Sequence, residues 1–153
     1  MIQRIQTLYL LVALLIIESL FFVPLGEIVV ETQNYKLMFN GFFQIIENST
    51  ELVQQTYALM ILIPLIGLLN FIAIFLFKKR TLQLRITMYN TILMFSLSGM
   101  AVYILYRAFS SYDAVILPNI SIVFPVIAGI LNFLAFRQIR KDDALVKSMN
   151  RIR

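Results

Sequence analysis

Four stretches of the chain are apolar over about 20 residues, the length a helix needs to cross roughly 30 Å of hydrocarbon. They run near Ile5–Leu25, Thr56–Phe77, Leu84–Tyr106 and Val115–Phe136. Backbone N–H and C=O groups find no water in lipid, so segments this continuous predict helices rather than barrel strands. Of the 153 residues, 60% are hydrophobic and only 14% are charged, against about 25% charged in soluble domains. The expected fold class is therefore all-α integral membrane. Its four transmembrane helices form two parallel-repeat hairpins within one domain over residues 1–153. The first stretch is too long for a typical signal core, and FFVPLGE after it offers no small-x-small cleavage site, so it reads as an uncleaved anchor.

Orientation follows from the cations. In a four-span arrangement eleven of the thirteen Lys and Arg residues fall on one side, from Arg4 through Lys78, Lys79, Arg80 and Arg85 to the tail; Lys36 and Arg107 are the exceptions. The positive-inside rule then places both termini in the cytoplasm. The net charge of +5 thus serves topology, and no nucleic-acid partner is expected.

Residues 26–55 form the one substantial outer loop. Within it KLMF-NG-FFQI places Asn40-Gly41 between two β-prone runs, as a two-residue hairpin turn would require. A small β-hairpin-like cap is expected there. Asn48-Ser49-Thr50-Glu51 has the form of a capping box opening the second helix.

Residues 67–71 read GLLNF and residues 129–133 read GILNF, each within five positions of a proline, Pro64 or Pro125. The openings of the first and third spans also rhyme, Arg4-Ile5-Gln6-Thr7 against Arg85-Ile86-Thr87. Gene duplication and the small alphabet of apolar helices both account for this. In either case Gly67 and Gly129 are expected to permit close helix approach. Asn70, Asn90 and Asn132 are expected to hydrogen-bond across helix interfaces at about 0.6–2 kcal/mol each. Each proline should free a carbonyl one turn earlier, at Met60 and Ser121.

Glu18 is the one acidic residue well inside a span. Counting helical rise from the basic ends puts Glu18, Ser98 and Ser121 at comparable depth, which suggests an intramembrane polar layer. Glu18 reads either as a proton or ion relay or as a helix-packing group.

The tail, residues 137–153, reads RQIRKDDALVKSMNRIR. Leu145, Met149 and Ile152 recur at helical spacing, and Asp143 precedes Lys147 by four. Arg137, Arg140, Lys141, Lys147, Arg151 and Arg153 are candidate contacts for anionic lipid or a partner protein. The start MIQRIQTLYLL, the inner loop KKRTLQLRI and the tail IRKDDALVKSMNRIR resemble the four-span membrane proteins of Bacteroidota catalogued as domain of unknown function 4293. The likeness extends over essentially the whole chain. It implies a bacterial inner membrane and no assigned activity.

The chain has no Cys and no His, which removes thiolate and imidazole chemistry and the commonest zinc ligands. It also lacks HExxH, GxSxG and a P-loop. The expectation is a non-enzyme with no cofactor: an accessory subunit of a larger inner-membrane assembly, in contact with lipids and other membrane proteins. The alternative is a small oligomeric transporter or channel subunit using Glu18 and the Pro/Asn-containing helices.

Overall fold

A computed structural model describes residues 5–30, 33–46, 49–112 and 115–150, with the backbone alone described at 30, 49, 109–112, 116 and 145–150. The elements in chain order are α1 (Ile5–Ser19), β1 (Gly26–Val30), β2 (Gln33–Met38), β3 (Gly41–Ile46), β4 (Ser49–Gln55), α2 (Tyr57–Phe75), α3 (Arg80–Tyr112), β5 (Val115–Pro118) and α4 (Phe124–Asn150). Short 3-10 turns at Leu76–Lys78 and Ile120–Val123 lead out of α2 and into α4.

The all-α expectation is wrong. The four helices are joined by a five-stranded antiparallel sheet of order β4-β3-β2-β1-β5. What was read as a small hairpin cap is a four-strand meander. Its fifth strand comes from the far side of the sequence: Glu27 pairs with Leu117 and Val29 with Val115. Residues 115–118 had been assigned to the start of the fourth span. They leave the helix because the residue before Pro118 is biased toward extended backbone and because β1 offers a free edge. Pairing with β1 satisfies backbone groups that a water-free environment would leave orphaned. The Ser49-Thr50-Glu51 segment likewise runs in β4 instead of capping α2, which begins at Tyr57; Asn48 lies outside the described residues.

Among the described residues three helices are long and apolar enough to cross a membrane: Tyr57–Lys78, Arg80–Ala108 and Ile120–Ala144. They mark the chain as a membrane protein. The expectation of four is corrected at α1, which is apolar but covers 15 residues among those described, about 22 Å at 1.5 Å per residue. It stops because the amides of Leu20, Phe21 and Phe22 turn back three residues, to Ile17, Glu18 and Ser19, just ahead of Pro24, which supplies no donor.

α1 packs against α2 and α4, and α3 packs against the same two, so the helices close a four-cornered bundle. Each turns a stripe of spacing three and four inward. The sheet-side half of the core is apolar: Ala13, Ile17, Leu59, Ile63, Ile66, Met94, Leu97, Ala101, Leu105 and Ala128 form one cluster with Leu25, Ile28 and Leu37 of the sheet region. A second, smaller cluster of Leu10, Ala73 and Ala135 lies toward the basic end. The outward faces stay apolar, with Leu15, Ile61, Phe71, Ile92 and Ile130 all exposed, as a lipid-facing surface requires.

Gly41 has a different task from the expected one. Met38 pairs with Gly41, so the two turn residues are Phe39 and Asn40, and the glycine stands inside β3. The β3–β4 register slips between Phe42 and Phe43, and at this bulge a Cβ on Gly41 would strike the carbonyl oxygen of Gln54. Close backbone approach, not the turn, demands glycine here.

Candidate functional site

The polar members of the inward stripes gather in the half of the bundle near the basic loops. α1 contributes Gln6, α2 Asn70, α3 Gln83, Thr87, Asn90 and Thr91, and α4 Asn132, all buried. On α3 they continue a single stripe: Gln83, Thr87, Asn90, Met94, Leu97, Ala101 and Leu105 step by three or four.

The repeated phrase makes the same clasp twice. The Asn70 side-chain amide of α2 donates to the Leu10 carbonyl of α1 at 3.0 Å. The Asn132 amide of α4 donates to the Thr87 carbonyl and to Thr91 Oγ1 of α3, both at 3.2 Å. Thr91 in turn donates to the Thr87 carbonyl at 2.8 Å. Leu10 stands six residues after Arg4, and Thr91 six after Arg85, so each asparagine grips the partner helix of its own hairpin at a matching level. A third clasp, absent from the sequence reading, runs from Gln83 Nε2 to the Ala73 carbonyl at 2.9 Å. Gln6 and Thr87 were missed as well. The signal that would have found them is the continuation of the apolar stripe of spacing three and four into polar residues.

The clasps leave acceptors over. Gln6 Oε1, Asn70 Oδ1, Gln83 Oε1, Thr87 Oγ1, Asn132 Oδ1 and both side-chain amide atoms of Asn90 are buried without a hydrogen-bond partner among the described residues. Oxygen dominates the set, and no carboxylate belongs to it. At low dielectric an unpaired polar group of this kind is expensive.

The expected polar layer of Glu18, Ser98 and Ser121 is not drawn together. Glu18 is half-buried, with one carboxylate oxygen seated on Gly67 of α2, where a Cβ would collide with it. Ser98 is half-buried on α3. Ser121 is buried at the outer end and donates to the Pro24 carbonyl. The Ser121 carbonyl accepts from the Phe124 amide, so Pro125 frees nothing there; it lies in the first turn of α4, where a missing N–H costs little. Gly67 and Gly129 also differ in use. The first seats the Glu18 carboxylate, while a Cβ on the second would stand 3.1 Å from Phe95 Cζ. Gly67→Ala should cost less than about 1 kcal/mol, because the far end of a flexible side chain can rotate away. The same change in a Glu18→Ala background should cost nothing measurable, and thermal unfolding of the two backgrounds in detergent checks the difference.

At the basic end Arg80 donates to the Asp142 carbonyl at 3.1 Å, fixing the inner loop to α4. Arg137, Arg140 and Lys141 are exposed. α4 runs unbroken through Lys147 to Asn150, so the tail extends the fourth helix; Arg151 and Arg153 lie outside the described residues.

The family model described as a domain of unknown function, DUF4293, matches residues 2–152. The chain belongs to that family. The match takes in the apolar bundle, the sheet and the basic tail alike. Comparison with curated proteins returns no match.

Proposed function

We propose that this family member is a non-catalytic accessory subunit of a larger bacterial inner-membrane assembly, with its basic end, where α1 enters the bundle beside Asn70 and Ala73, in the cytoplasm and its sheet on the opposite side. The single observation that carries the reading is β4. It is an edge strand of the sheet, and Thr50 to Gln55 are all exposed, Leu52 and Val53 among them. An uncovered edge of this length invites pairing with a strand of another chain. The cation asymmetry supports the orientation, and the exposed Arg137, Arg140 and Lys141 offer a second contact at the cytoplasmic end. Photo-crosslinkers placed along β4 in the native host, followed by gentle detergent extraction and mass spectrometry, should trap the same membrane partner from several positions. Recovery of the uncrosslinked protein alone across detergents would overturn the proposal.

A second reading, a small transporter or channel subunit, is favoured by the unpartnered oxygens in the basic half of the core. It requires that half to conduct, and the Asn90 substitution described in the Discussion separates the two readings.

A further inference from the structure

Beneath the sheet, where it meets the outer end of α3, lies a cleft of about 530 Å³, within the range of small-molecule sites. Its apolar wall includes Ile28, Phe42 and Ile104, and its polar groups include Gln54, Thr56 and Arg107. Gly26 of β1 rests on Leu105, where a Cβ would lie only 3.0 Å from that side chain, so the sheet packs directly on α3 next to the cleft-lining Ile104 and Ile28.

The level of the cleft relative to lipid can be read from its surroundings. Tyr57, Tyr103 and Tyr106 gather at this end of the bundle and are 66%, 54% and 65% exposed. Tyrosines so placed mark the boundary between headgroups and hydrocarbon. Tyr103 and the exposed Val53 both line the cleft, so its mouth lies at the level of these tyrosines. The sequence supplies two cations to the outer side, Lys36 and Arg107. Arg107 lines the cleft.

We propose that the cleft binds an anionic phospholipid, its phosphate on Arg107, Gln54 and Thr56 and the start of an acyl chain on Ile28, Phe42 and Ile104. A guanidinium can meet two phosphate oxygens at once. Among the described residues that line the cleft Arg107 carries the charge, which favours a net-anionic headgroup over a zwitterionic one. A free phosphate would leave the apolar wall unused. The site stands apart from the subunit reading, because it concerns lipid rather than a protein partner.

Native mass spectrometry of the full chain, titrated with phosphatidylglycerol, phosphatidylcholine or glycerol phosphate, tests the site. Phosphatidylglycerol should be retained about tenfold better than phosphatidylcholine, the scale of one charge-assisted contact. Arg107→Gln should remove most of that preference, whereas Arg107→Lys should keep part of it. Val53→Trp, at an exposed strand position lining the same cleft, should reduce retention of both lipids while leaving Arg107 in place, and it decides the matter if the arginine variants do not fold. Equal retention of the two lipids, an unchanged preference in Arg107→Gln, unchanged retention in Val53→Trp, or displacement of lipid by glycerol phosphate alone would each overturn the proposal.

Discussion

Asn90→Val is expected to raise the stability of the bundle by about 1–3 kcal/mol, the desolvation cost of a buried polar group left unmatched. Both side-chain amide atoms of Asn90 are buried without partners among the described residues, and valine stays close to asparagine in volume, so little overpacking opposes the gain. The matching change Asn132→Val should move stability the other way, by up to about 1–2 kcal/mol, because it breaks the amide contacts to Thr87 and Thr91. Thermal or SDS-driven unfolding of purified protein in one detergent measures both. A stabilising Asn90→Val with intact partner capture fits an accessory subunit with an imperfect core. The same variant, stabilised but unable to restore proton or ion flux to reconstituted vesicles that wild type makes permeable, would instead select the transport reading. If Asn90→Val destabilises as much as Asn132→Val, then Asn90 is satisfied in the folded protein and both arguments from its isolation fail.

Gly41→Ala should cost about 1–3 kcal/mol or more, since backbone must move to clear the new Cβ. The obstacle is the Gln54 carbonyl, not a side chain that can swing aside. Damage should be local to the sheet: faster proteolysis of residues 41–55, with the helical signal of the bundle preserved. Asn40→Ala is the informative control. If the Asn-Gly pair formed the turn, both changes would be comparably harmful. With the turn at Phe39–Asn40 and the glycine inside the strand, the asparagine change should cost less than half as much by chemical denaturation.

Much of the membrane part was legible because its signals are local. Apolar length announces α2, α3 and α4, and the two asparagines of GLLNF and GILNF could be assigned to helix interfaces from their setting alone. The sheet was not legible to the same degree. The Val115–Pro118 segment is as apolar as a helix start, and what makes it a strand is an edge supplied by Gly26–Val30, nearly ninety residues earlier in the chain. Nothing within a local window carries that pairing. Glu18 shows the opposite limit. Its depth was read from helical rise, yet rise fixes only height, not azimuth, and the carboxylate turns to Gly67 rather than to Ser98 or Ser121. Gln6 and Gln83 were overlooked because they sit near the cationic ends, where polar residues are ordinary; only the stripe they share with apolar neighbours betrays that they face inward.

The pairing of β1 with β5 imposes an order on biosynthesis. A ribosome releases the first helical pair, with its meander, long before the fifth strand exists, so β1 must wait with one side open while the inner loop and the whole of α3 are made. Synthesis of the short segment between α3 and α4 then closes that side. Until the late strand arrives the half-product presents β1, rather than the four-residue β5, as the edge opposite β4, and its hazard of mispairing with a neighbouring copy is greatest during that interval.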